Sequence, residues 1–274
     1  MVDRHDQHDL IGGRRVHWRE WGDAAAEPLV FLHGAWVAAA FYDTFSERFG
    51  ATRHVFALDQ RGHGETDHAP NYSWPLWLED LAAFTDHVGV GHFDLVGHSM
   101  GAGHAVRFAG RYPSRVRRLV LLEGGFGPFT SPQQDEFWSK AFRLVPENGF
   151  ESLDAYIDLV CELFPRSGRA DVRSAAAHFE QRPDGRWQWP FPADFNWLTQ
   201  TDPTADEERG LHRAITARTL VVQASASELF IGDAYAEFAA SLADGQSVLL
   251  PDAGHNLQWE NVAGSTELIL DFLD

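Results

Sequence analysis

A chain of 274 residues, 44% hydrophobic and 23% charged, is long enough to bury one large α/β core. Its 40 acidic and 22 basic residues leave a formal charge of −18, which repels phosphate backbones and anionic headgroups and so excludes nucleic acid and membrane surfaces as partners. One cysteine, Cys161, excludes an internal disulfide, and no apolar leader or run near the ~18 residues of a membrane span occurs, so the expected location is cytoplasmic.

Residues 1–10 are polar, and His5 and His8 are expected in a disordered tail rather than in a metal site. Short apolar runs then follow, alternating with helical stretches. The first strand is expected over Arg14–Trp21, around Val16-His17-Trp18. Others are expected at Leu29–Leu32, Val55–Leu58, Phe93–Val96, Leu119–Leu122, Leu220–Val222 and Ser247–Leu250. These runs are continuous, as in strands buried on both faces. Helices are expected at Trp74–Val88, Met100–Arg111, Gly232–Ala243 and Asn261–Leu273. The alternation predicts an α/β fold with a mostly parallel, doubly wound sheet and helices on both faces.

Between Gly124 and Arg218 the alternation breaks, over a stretch too long for a connecting loop. Ser131-Pro132 with Gln134 opens one helix as N-cap, N1 proline and capping-box glutamine. Leu153, Tyr156, Ile157, Val160, Leu163 and Phe164 form the apolar face of a second, and Ala170–Gln181 supplies a third. A turn at Pro183-Asp184-Gly185 precedes Trp187 and Trp189. The expected division is a core of residues 1–124 and 218–274, with residues 125–217 inserted as a helical cap, or lid, over the strand ends.

Gly97-His98-Ser99-Met100-Gly101 falls between an expected strand and an expected helix. A serine on so sharp a turn holds strained backbone angles. Its hydroxyl stands free at the sheet edge, and the helix N-terminus behind it favours developing negative charge. His33-Gly34-Ala35-Trp36 follows an earlier strand, where the N–H of Ala35 can join that of Met100 in an oxyanion hole. His33 and the turn Asp59–Gly64 are assigned to scaffolding. Gly254-His255-Asn256 follows the last strand, and His255 is the one histidine of 14 that lies after the acid candidates at a strand end, where a general base is needed.

Together, Leu29–Trp36, Asp59–Gly64, Gly97–Gly101 and Pro251–His255 resemble the α/β-hydrolase superfamily over nearly the whole chain, in a serine-nucleophile, cap-bearing, esterase- or lactonase-like branch. The resemblance implies an oxyanion loop, a structural turn, a nucleophile elbow and a histidine loop, with the cap at Gly124–Arg218. It breaks at the acid. The superfamily usually carries an Asp after the strand that precedes the histidine strand, and Gln223–Phe230 places Ser227 there. Glu228, one position later, is one candidate. Glu123, ending the strand after the nucleophile helix, is the other, and it resembles the placement in haloalkane dehalogenases and a fungal mycotoxin lactonase. Glu123 is favoured, because a glutamate ending a buried strand needs a partner whereas a solvated Glu228 does not.

A serine rather than an aspartate at the elbow points to acyl transfer. The expected activity is hydrolysis of a carboxylic ester or lactone of an apolar, aromatic small molecule through Ser99, His255 and Glu123. Trp36, Trp138, Trp187, Trp189 and Trp197 are the candidate substrate contacts. Carbon–carbon bond hydrolysis, cofactor-free oxygenation and a non-catalytic ligand receptor are the alternatives on the same scaffold. No metal-ligand or nucleotide-binding motif is present, so no metal and no cofactor are expected.

Overall fold

The computed structural model describes residues 3–125, 132–146, 148–176, 179, 181–187, 203–229 and 233–274, the side chains of 132–135, 138 and 142 excepted. Its strands are β1 (Arg4–Ile11), β2 (Arg14–Trp21), β3 (Glu27–Leu32), β4 (Arg53–Leu58), β5 (Phe93–His98), β6 (Val116–Leu122), β7 (Arg218–Ala224) and β8 (Gly245–Leu250). They form one sheet in the order β1-β2-β4-β3-β5-β6-β7-β8. β1 and β2 pair antiparallel, as do β2 and β4, and every later pairing is parallel.

The uninterrupted apolar runs are explained by two cores, one on each face of the sheet. Leu29, Phe31, Val55, Ala57, Val120 and Val222 pack with Phe45 and Phe49 of α1 (Asp43–Phe49) and with Ile269 and Phe272 of α9 (Val262–Leu273). The intervening residues Val30, Leu32, Phe56, Leu95, Leu121 and Val221 join a second cluster. Leu78 and Leu81 of α2 (Trp74–His87), Ala102 and Val106 of α3 (Met100–Arg111), and Tyr235 of α8 (Ala234–Ser241) complete it. A side-chain period of two sends alternate residues to opposite faces, so both must be apolar.

Three expectations change. The N-terminal residues are not a disordered tail but β1, joined to β2 through Gly12-Gly13 at φ 59° and 81°, the positive angles a two-residue hairpin turn requires. Only Ile11 of β1 is buried, so the strand lacks the apolar alternation that would have marked it. β8 is a sheet edge rather than a strand buried on both faces, and Leu249 is 60% exposed. The helix expected over Ala170–Gln181 is α6 (Arg169–Ala175), and Gln181 instead bridges to Trp187.

Between β6 and β7 lie α4 (Pro132–Leu144), α5 (Leu153–Leu163), α6 and α7 (Ala205–Ala214). α7 was not anticipated, although Thr204 and Glu207 form a full capping box at its start. It packs on α3, where Arg107 Nε donates to Glu208 Oε2 at 3.1 Å. Among the described residues no helix is long and apolar enough to cross a membrane.

Candidate active site

The carboxyl ends of β3, β5, β6 and β8 carry His33–Trp36, Ser99, Glu123 and the His255 loop. Ser99 sits between β5 and α3 at φ 52°, ψ −117°. This strained conformation is held from several sides. Ser99 N donates to Leu122 O at 2.9 Å, and Ser99 O accepts from Ala102 N at 3.0 Å. A Cβ on Gly101 would run into the Leu32 carbonyl, and one on Gly34 would come within 3.1 Å of Ser99 Cβ, so both glycines are needed for close approach. Met100 opens α3, so its N–H is among those a helix leaves without an intrahelical acceptor. Ala35 is half-buried in the turn after β3. Next to it Trp36 is buried at φ 70°, and its carbonyl accepts from Tyr156 Oη of α5 at 3.2 Å.

His33 is hydrogen-bonded within the loop and to the next turn. Nδ1 donates to Gly34 O at 2.8 Å and Nε2 accepts from Gln60 N at 3.1 Å. Gln60 Nε2 donates to His33 O at 2.7 Å, and its Oε1 accepts from His104 Nδ1 at 2.7 Å. The oxyanion loop is thus pinned to the Asp59–Gly64 turn.

The structure separates the two acid candidates by the atoms they reach. Glu123 Oε2 lies 3.3 Å from His255 Nδ1. Glu228 is half-buried, and its Oε2 accepts from the backbone N–H of His255 at 3.0 Å. Glu123 also has positive φ, 50°, with its N–H on Val222 O at 3.0 Å. Its Oε1 accepts from Ala224 N at 2.7 Å and its Oε2 from Ser227 Oγ at 2.5 Å. Burial pushes the Glu123 carboxyl up to about 8, against the opposing hydrogen bonds from Ala224 and Ser227. Burial alone pulls the His255 imidazole down to about 3. Burial thus opposes charge on both partners of the pair. With Glu123 ionised, its carboxylate orients Nδ1–H and leaves a lone pair on Nε2, the state in which the ring can take a proton from a serine.

Four residues beyond the sequence candidates shape this arrangement. His98 Nε2 donates to His255 O at 2.8 Å, tying the residue before Ser99 to the histidine loop. Glu260 Oε2 accepts from Gly254 N at 2.6 Å. Phe164 stacks on the His255 ring at 5.6 Å between centroids. Ser227 stands where the superfamily's acid usually falls and instead donates to the displaced one, a signal visible in sequence only as a missing Asp. Ser227→Ala should raise the Glu123 carboxyl further, shift the pH–rate profile to higher pH and cut kcat at pH 7 about tenfold, as expected for losing a hydrogen bond to a charged group. Ser227→Thr, which keeps the hydroxyl, should restore both. An unshifted profile in Ser227→Ala would show that the hydroxyl only packs.

Of the aromatic candidates, Trp36 is buried in the core cluster, and half-buried Trp187 pairs its backbone with Phe150, N–H to carbonyl at 2.8 and 2.9 Å. The Trp138 side chain, Trp189 and Trp197 lie outside the described residues.

Similarity to known proteins agrees with this fold. The chain is 27% identical to the 2-hydroxy-6-oxononadienedioate/2-hydroxy-6-oxononatrienedioate hydrolase of Escherichia coli, over 94% of this chain and 91% of that one. Among solved structures it resembles E-2-(acetamidomethylene)succinate hydrolase, with TM-score 0.84 and 24% identity over 99% of this chain and 100% of that one. The thioesterase domain from the curacin biosynthetic pathway matches with TM-score 0.81 and 19% identity over 98% and 99% of the two chains. Residues 27–262 match the alpha/beta hydrolase fold family, and the chain belongs to that family.

Proposed function

We propose that this hydrolase cleaves a carboxylic ester or lactone of an apolar, aromatic small molecule through an acyl-enzyme on Ser99. Ser99 Oγ attacks the carbonyl while His255 Nε2 takes its proton. The N–H groups of Ala35 and Met100 hold the oxyanion, and water activated by His255 releases the acid. Glu123 orients His255 and stabilises its imidazolium. No cofactor takes part. The observation that carries this is the Glu123–His255 contact of 3.3 Å at the sheet edge that presents Ser99 at φ 52°.

Residues 125–217 are proposed to act as a lid. Phe164 lies on the His255 ring, and Ser167 Oγ donates to Glu260 Oε1 at 2.8 Å while accepting from Asn256 Nδ2 at 3.0 Å. The histidine loop and the elbow meet the aromatic side chains Phe164 and Phe41 and the acids Glu228 and Glu260, and the charge of Arg166 acts on both acids. The aromatic side chains Phe164 and Phe41 favour an apolar substrate.

The second proposal is carbon–carbon bond hydrolysis by the same groups, favoured by the resemblance to the E. coli enzyme, whose named substrates are dioates. A panel of p-nitrophenyl acyl esters and aryl lactones, run beside a vinylogous 1,5-diketone, separates the two. Ester kcat/KM should rise about fourfold per buried methylene. Cleavage of the diketone with the esters inert would transfer the assignment to carbon–carbon chemistry.

A further inference from the structure

We propose that His8, His17 and Glu65 form a zinc site at the edge of the sheet, remote in role from the hydrolytic groups. His8 and His17 are direct partners across the antiparallel β1–β2 pair, and their ring centroids lie 4.6 Å apart. His8 Nε2 is 2.8 Å from Glu65 Oε2, and the ligand atoms of the three residues all lie within 4.8 Å of one another. Zinc bonds of about 2.0–2.2 Å in a tetrahedron place neighbouring ligand atoms about 3.3 Å apart, so small rotamer changes suffice to close on an ion. Asp6 offers a fourth oxygen, its Oδ1 3.4 Å from His17 Nε2. Arg19 Nε donates to that same oxygen at 2.9 Å, and Arg15 Nη2 lies 3.5 Å from Glu65 Oε2, so water competes for the fourth place and Glu65 must release Arg15.

The surroundings of His17 supply the independent observation. Its Nδ1 lies 2.6 Å from Oδ2 of Asp59, a carboxylate buried to 1% exposure. Ala39 N donates to Asp59 Oδ1 at 2.5 Å and Glu65 N to Oδ2 at 2.9 Å. A carboxylate on Nδ1 is the orienting arrangement that metal-bound histidines use, and it turns the Nε2 edge of His17 toward Asp6, His8 and Glu65. One buried aspartate thereby positions two of the three ligands. Two imidazoles with a carboxylate suit zinc-class ions rather than calcium or magnesium. The ion would tie β1, exposed along nearly its whole length and, among the described residues, paired only with β2, to the segment after β4.

The test uses the full chain without a histidine tag, stripped with chelator and titrated with ZnCl₂ by calorimetry, with hydrogen exchange of the β1 amides as the second readout. One zinc per chain should bind, and exchange across Arg4–Ile11 should slow. His8→Ala and Glu65→Gln, both surface changes, should each weaken zinc at least tenfold and abolish the slowing while ester turnover stays unchanged. No binding at micromolar zinc, or binding of equal strength in both variants, would overturn the site.

Discussion

Ser99→Ala should lower kcat for ester cleavage by about 10⁴–10⁶-fold with little change in Tm. The size of the effect follows from the role. Without Oγ there is no acyl-enzyme, and what remains is the oxyanion donors acting on bound ester and water. Little stability should be lost, because the elbow's strain is held by neighbours of the backbone. Leu122 O accepts the Ser99 N–H, and Gly34 and Gly101 allow the close approaches. Alanine keeps that backbone and removes one hydroxyl. Steady-state kinetics beside a thermal melt check both halves. Cofactor-free oxygenation uses the elbow serine only as a hydrogen-bond donor, so a variant within tenfold of wild type would favour that chemistry over acyl transfer.

Glu123→Gln should cost about 10⁴ in kcat, since an amide at the same place can fix the wrong histidine tautomer and cannot stabilise the imidazolium. Glu228→Gln should stay within a few-fold of wild type, because its oxygen meets the backbone N–H of His255 and not the ring. pH dependence gives a separate handle on the pair. The productive state needs the Glu123 carboxyl ionised, and burial pushes it up to about 8, so kcat/KM should rise with pH to a plateau above about pH 8. Glu123→Gln should abolish that rise.

Stability should move the opposite way. The folded carboxyl keeps its proton up to about 8, whereas the unfolded chain releases it near the ordinary 4.5, so folding loses stability as pH climbs through that window. His255, pulled down to about 3 from 6.5, adds stability with rising pH only below 6.5. Between pH 6.5 and 8 His255 no longer offsets the Glu123 effect, and the Tm of Glu123→Gln should fall less than that of wild type. Parallel melts at the two pH values decide it, and identical slopes would contradict the buried, protonated carboxyl.

The sheet and the elbow were legible because their signals are local. Two-faced burial forces apolar runs such as Leu29–Leu32, and the sharp turn at Ser99 needs small residues around it. β1 was not legible, since exposed residues such as His5 and His8 obey no hydrophobic period and its only mark is the Gly12-Gly13 turn. α7 was missed for a related reason, being a largely exposed helix whose one strong sign is the Thr204–Glu207 cap. Glu123 and Glu228 both reach His255, one at the ring and the other at the backbone. Only loop conformation, including the positive φ of Glu123, decides between those atoms, and a single sequence does not encode that choice in any readable spacing. The hydrogen bonds from Ser227 and His98 arise from the same loops and were hidden for the same reason.

The most direct test of the acyl-enzyme claim is labelling by an aryl phosphonate that mimics the tetrahedral intermediate, read by intact mass and peptide mapping. One adduct per chain on Ser99 is the predicted result, with Ser99→Ala unlabelled and Glu123→Gln labelled far more slowly than wild type. Ester turnover by a chain that takes no adduct, or takes it at another residue, would contradict the account.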